Sequence, residues 1–330
     1  MRKISAIALS LGLMLASGVS QSAPLPDFDS FTIQRTDNGA AVSPQQAADA
    51  LQGYDVVFVG ELHDHIANHL AEMALLEALQ EHAPGIALSM EQFERDVQPV
   101  VDDYLAGRIG EETLTRKGRA WDNYAEAYRP LVEYAKEHAL PIIAANAPAS
   151  LVRCVGREGV GFLSSLPAAK RGWAAAGIHT EDGPYKQKFL SFLSGDAAHG
   201  AASDGQSAQA ATDNSFAAQV TRDDTMAESI ASYLQANPGH RIVHVTGVFH
   251  VEDRLGTIER LKMRAPQLKI ALVLPVETAD VAKPAANRGA DFVLLLRPEP
   301  RPYVTDDERK TAEALEMGSI RAAASTGCKS

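Results

Sequence analysis

The fold is decided by fifteen residues, VVFVGELHDHIANHL, Val56 to Leu70. Four consecutive β-branched or aromatic residues, Val56 to Val59, run into Gly60 and stop. A continuous apolar run of this kind has no polar face, so it reads as a strand buried on both sides. Directly after it come Glu61, His63, Asp64, His65 and His69, a cluster of carboxylates and imidazoles at a strand end. From about His69 the pattern changes to helical spacing, with Leu70, Met73, Leu76 and Leu79 on one stripe.

Five further runs share the character of the first: GIALSM, LPIIAANAP, HRIVHVTGV, KIALVLPV and DFVLLL. Amphipathic stretches such as YAEAYRPLVEYAKEHAL lie between several of them. Strands alternating with helices predict an α/β fold, a mostly parallel sheet with helices on both faces. The last two runs are expected at a sheet edge. Residues 150–235 lack strand runs and read as an inserted all-helical subdomain, dividing the α/β domain into 24–149 and 236–300. Within the insertion, SGDAAHGAASDGQSAQAATDNS, residues 194–215, reads as a long loop because it offers little apolar surface to bury. Residues 301–330 read as a polar C-terminal tail.

Four of the runs end in a polar or ionisable residue: Glu61 with His63, Glu91, Asn146 and His250. Parallel strands point the same way, so these ends are expected along one rim, where ligands bind in such sheets. Two ends also share a pattern, Gly60-Glu61-Leu62-His63 and Gly247-Val248-Phe249-His250, in which the glycine is expected to let the chain turn off the strand. Glu61, His63, Glu91 and His250 could hold a divalent metal, act as acid and base, or simply tie the strand ends together. His69 can point back to the rim, whereas His65 is expected in solvent, as are His82, His138, His179, His199 and His240.

The N-terminus carries Arg2 and Lys3, then the apolar run ISAIALSLGLMLA and small residues up to Ala23. This is the pattern of a signal peptide over residues 1–22 and implies a periplasmic or secreted protein, with no lipid-acceptor cysteine after the apolar run. Losing Arg2 and Lys3 takes the formal net charge from −11 to −13, a surface that repels phosphate backbones and excludes nucleic acid as a partner. Cys154 and Cys328 have no zinc-type spacing. An oxidising compartment permits a bridge between them, but Cys328 lies in the polar tail, which argues against one.

Taken in order, these pieces resemble the ChaN-like family of bacterial haem-binding, iron-regulated proteins, grouped with the Tiki/TraB and erythromycin-esterase-like proteins. The resemblance runs from about Tyr54 to Met263. It rests on Gly60, Glu61, His63, Asp64 and His69, and on Met90 and Glu91. It continues through Trp121, Tyr128, Pro130 and Asn146, then Ala218, Gln219, Asp224, Met226 and Ala227, and closes with Gly247 and His250. One departure is Gly256-Thr257-Ile258, where the family often reads Gly-Ile-Pro. The resemblance implies haem as the ligand, a helical lid over the rim, and a role in haem and iron uptake. A homodimer and outer-membrane or periplasmic uptake components are the partners it suggests. Haem needs an apolar slot, an axial ligand and cations for its propionates. Tyr185, flanked by Lys186 and Lys188, is a candidate for those roles, with His69, Asn146 and Tyr128 as further pocket residues. The alternative is a metal-dependent hydrolase, protease or esterase, working through Glu61, His63, Glu91 and His250.

Overall fold

The computed structural model describes residues 27–82, 85–196, 205–279, 288–300, 302–305, 307–312 and 328, without the side chains of 194–196 and 205–208. The expected signal peptide, His199 and most of the expected tail lie outside them. All six expected strands are present: β3 (Val56–Glu61), β4 (Ile86–Glu94), β5 (Ile142–Asn146), β6 (Arg241–Gly247), β7 (Ile270–Glu277) and β8 (Phe292–Leu296). Two more, β1 (Phe31–Arg35) and β2 (Ala41–Val42), precede them, and the described residues form one sheet in the order β2-β1-β8-β7-β3-β6-β4-β5. β3 to β8 are mutually parallel, while β1 pairs antiparallel with β8 and with β2. The expectation that β7 and β8 form an edge is therefore corrected. β1 and β2 extend the sheet past β8 and leave β2 and β5 outermost.

The apolar run of β3 is explained by its place between β7 and β6. Val57 and Val59 enter one core with α1 (Pro44–Leu51), α2 (Ile66–His82), α3 (Gln98–Leu105), α4 (Glu111–Lys117), α5 (Tyr124–Ala127) and α6 (Arg129–Glu137). Val56 and Phe58 enter a second core on the opposite face. Burial of each such side chain contributes about 1.5–3 kcal/mol, which fixes the strand at the centre. β5 is followed by α7 (Ala149–Glu158), α8 (Ala168–Arg171), α9 (Pro184–Asp196) and α10 (Gly205–Ala236), and β6 by α11 (Thr257–Arg264). α10 serves two places at once. Phe216 and Val220 pack with Tyr185 and Phe189 of α9, whereas Met226, Ala227 and Ile230 sit on the sheet beside α11.

Two expectations fail in the helical segment. Residues 205–215 begin a helix of 32 residues instead of a loop. The alanines at 208, 210 and 211 that made the stretch look unable to fold are strong helix formers, and the stretch is carried by the packed part of the same helix. Cys154 of α7 is bonded to Cys328, with 5.6 Å between the Cα atoms, so the tail is tied back onto the helices.

Chain direction sets the site. After β3 the chain leaves on the face of α2, and after β6 on the face of α11. β3 and β6 are neighbours, so the crevice beyond their carboxyl ends lies where the connections part to opposite faces. Ligands of open α/β sheets bind at such a point.

Candidate functional site

Glu61, His63, Glu91 and His250 meet at that crevice, in two linked groups. Around β3, the Oε1 of Glu61 accepts from His63 Nδ1, from Gln92 Nε2 at 2.8 Å and from the Tyr128 hydroxyl at 2.8 Å. The Oε2 of Glu61 is buried and has no hydrogen-bond partner. One turn into α2, His69 Nε2 donates to the His63 carbonyl at 2.8 Å, while its Nδ1 lies 3.0 Å from Glu72 Oε2 and 3.9 Å from Glu61 Oε2. The other oxygen of Glu72 accepts from Asn68 Nδ2 at 2.8 Å. Burial together with the neighbouring Glu61 pushes the Glu72 carboxyl up to about 8. Burial lowers His69, but Glu72 outweighs it and takes the imidazole up to about 9.

Around β6, Glu91 Oε2 accepts from the Thr246 hydroxyl at 2.6 Å and the Gly247 amide at 2.8 Å, and its Oε1 lies 3.5 Å from His250 Nε2. Burial alone would raise this carboxyl; the imidazoles of His250 and His63, with those two donors, outweigh it and hold it down at about 2. His250 Nδ1 donates to Asp223 Oδ1 at 2.7 Å, and Asp223 also accepts from Thr257 at 2.9 Å and Tyr185 at 2.8 Å. Thr257 stands where the resemblance expects isoleucine, and its hydroxyl is what ties α11 to Asp223. Burial opposes a charged His250, yet Glu91 and Asp223 raise it above the ordinary imidazole value.

The groups touch through Gly247. A Cβ at that position would lie 2.8 Å from the His63 ring and 3.7 Å from Glu91 Oε2. Gly247 has φ −53°, and at Gly60 an added Cβ would meet Leu274 at 2.7 Å. Neither glycine adopts positive φ, so both are required for close approach and not for a turn.

In front of the groups opens a cavity of about 580 Å³. Its lining brings the rings of Phe189, Phe192 and Phe249 together with Glu61, His63 and His250 and the acids Asp64, Glu277 and Glu299. The His63 side chain is 43% exposed, and its ring packs edge-on against Trp121 at 5.0 Å.

The remaining expected residues fall elsewhere. Tyr185 is buried and outside the cavity lining, its hydroxyl spent on Asp223. Burial and Asp223 raise that phenol well above its ordinary value, so in this conformation it presents no tyrosinate. Lys186 is held by Asp182 and Asp213, at 2.8 and 2.9 Å, and Lys188 by Glu252 at 2.9 Å and the Phe249 carbonyl at 3.0 Å. Asn146 is buried at the end of β5, where its side chain accepts from the Ala147 amide at 2.8 Å. His65 is not in solvent: it is buried, with Nε2 2.9 Å from the Arg297 carbonyl past the end of β8. His179 is half-buried and bonded to Asp224 at 2.8 Å. Sequence reasoning missed Glu72, Gln92, Thr246 and Asp223. Glu72 stands three residues after His69 on one helix, a spacing that places the two side by side and could have found it.

A crevice at the carboxyl ends of parallel strands, lined by aromatics and imidazoles, is where open α/β proteins bind their ligands. The chain belongs to the haem-binding uptake family described as ChaN, of the Tiki superfamily, whose model matches residues 47–261. Among solved structures it is similar to ChaN of Campylobacter jejuni, described as showing cofacial haem binding, at 16% identity and TM-score 0.61, covering 81% of this chain and 97% of that one. It also matches an erythromycin esterase mutant in its open conformation, at 13% identity and TM-score 0.44, over 86% and 87% of the two chains. No curated protein matches the sequence.

Proposed function

We propose that this chain binds haem in the crevice beyond β3 and β6 and serves haem and iron uptake outside the cytoplasm. The observation that carries the reading is the half-exposed imidazole of His63, whose Nδ1 is fixed on Glu61 and whose Nε2 has no hydrogen-bond partner among the described residues. It stands in one cavity with Phe189, Phe192 and Phe249. An apolar slot and an imidazole meet two of the demands of haem. His63 would hold the iron, Glu61 would orient and charge-stabilise the ring, and the phenylalanines would exclude water from the porphyrin face. Haem here is cargo, so no bond-breaking step is asked of these residues. Among the described residues the cavity lining contains no lysine or arginine. Family membership and the similarity to a haem-binding ChaN support the same ligand. The Cys154–Cys328 bond supports export, since such bonds persist in oxidising compartments. No helix among the described residues is long and apolar enough to cross a membrane.

The hydrolase reading has less behind it. Of its four residues, Glu91 already gives one oxygen to Thr246 and Gly247, and His250 gives Nδ1 to Asp223. Hemin titration of the mature protein, followed at the Soret band, tests the haem reading. Saturable binding is expected, lost in His63→Ala and kept in Tyr185→Phe; a wild type showing no saturable shift at micromolar hemin ends the proposal.

A further inference from the structure

Behind the haem-facing imidazole, Glu61, His69 and Glu72 bring one ligand atom each within 4.8 Å of one another, and all three side chains are buried. Glu61 Oε2 is the informative atom. Its partner oxygen on the same carboxylate takes three donors, yet Oε2 has none and faces Glu72 and His69. A buried acceptor without a donor costs about 1–3 kcal/mol; either the proton of the raised Glu72 carboxyl or a bound cation can sit against it, and the ligand spacings favour the cation. The imidazole is oriented for a cation: Nε2–H is spent on the His63 carbonyl, 2.8 Å away, which turns Nδ1 toward the two carboxylates. Metal-ligating histidines are held in this way by an outer hydrogen bond. The spacings also suit an ion. Ligands at the bond lengths usual for zinc are about 3.4 Å apart around a tetrahedron, and Nδ1 lies 3.0 Å from Glu72 and 3.9 Å from Glu61. Once Glu72 and His69 give up their protons to solvent, as metal binding requires, two carboxylates and one neutral imidazole offset a double positive charge, which is the condition for burying an ion cheaply.

We propose that Glu61, His69 and Glu72 form a site for a first-row divalent cation such as Zn²⁺, separate from the haem crevice and reached through Glu61, which lines the cavity. Gln92 holds the other oxygen of Glu61 through its Nε2, which fixes the carboxylate with Oε2 turned toward the site. The ion would lock Glu61 and, through it, the ring of His63, so the two sites communicate without sharing a ligand.

The test uses the full mature chain, stripped with a chelator and titrated with Zn²⁺ by calorimetry. One ion per chain is expected, with a rise in the thermal midpoint. Glu72→Gln and His69→Gln should each weaken binding by more than about tenfold, since even outer partners of a metal cost that much. The Soret titration of Glu72→Gln with hemin should still saturate, which separates this site from the haem reading. X-ray absorption of the wild-type zinc complex should show a single imidazole among light oxygen ligands, and this readout stands whether or not the variants fold. No Zn²⁺ binding by the wild type, a shell with two imidazoles, or wild-type affinity in Glu72→Gln overturns the proposal.

Discussion

The two Gly-x-x-His strand ends carry the same pattern and reach opposite outcomes. At the end of β3, His63 is half-exposed and its Nδ1 rests on a carboxylate of its own strand end, Glu61. At the end of β6, His250 is buried, with Asp223 of α10 on one nitrogen and Glu91 of β4 facing the other. Their backbones already part at the glycines: β3 runs on through Glu61, whereas β6 stops at Gly247 and enters a short helical turn, Val248–His250. Both ends line the cavity; the difference is that α10 brings Asp223 against His250 and Glu91 faces its other nitrogen, which leaves that ring buried, whereas the ring of His63 stays half-exposed. One imidazole is thereby presented to a ligand, and the other is built into the support beneath it.

The sharpest way to break this contrast is Glu91→Ala. It leaves the Thr246 hydroxyl and the Gly247 amide without their carboxylate acceptor in the interior and removes one of the two carboxylates that face His250. Breaking a buried pair from one side costs about 3–5 kcal/mol, read from the urea midpoint. A loss below about 1 kcal/mol would mean that the β6 end is no more structural than the β3 end. The same carboxylate gives a pH signature. Its folded value is about 2 against an ordinary 4.5, so its stabilisation is present in full above 4.5 and lost as pH falls toward 2. Wild-type stability should decline across that window, and Glu91→Gln should flatten the decline. His250 is the other partner of the same interaction and is not counted again.

Gly247→Ala comes next. Its new Cβ meets the His63 ring, and relieving such overpacking costs about 1–3 kcal/mol. The ring must move, so hemin affinity should fall with stability. Gly60→Ala meets only the end of the Leu274 side chain; it should cost comparable stability and leave hemin binding in place. Equal hemin affinity in both variants would show that the position of His63 does not matter to the ligand.

The smallest effect on folding is expected for His63→Ala, within about 1 kcal/mol, because the ring is half-exposed and Glu61 Oε1 keeps two donors. Its hemin titration should nonetheless fail. A large stability loss with hemin binding intact would reverse the roles assigned to the two histidines.

Legibility in the sequence followed burial. Six strands could be read because each is apolar on both faces, a pattern that survives without knowledge of neighbours. β1, FTIQR, alternates and is short; only its pairing with β8 makes it a strand. The four rim residues were legible because parallel strands share a direction. Asp223 was not, since on a helix of 32 residues it looks like any polar-face carboxylate until His250, Tyr185 and Thr257 are brought to it. Tyr185 shows the opposite failure: flanking lysines suggested an exposed ligand, but the phenol is turned inward and the lysines are held by this chain's own acids. The disulfide was hidden by a separation of 174 residues and by a polar tail that says nothing about where its cysteine lands.

The sequence by itself determined the parallel α/β sheet and the set of polar strand ends, because strand direction and burial are written in local hydrophobic runs. Only the tertiary structure decided which histidine faces the cavity, which carboxylates hold it, and which tyrosine is spent inside. Those depend on side chains from β4, β6, α2, α10 and α11 arriving at one point, and no local pattern records the distance between elements far apart in the chain.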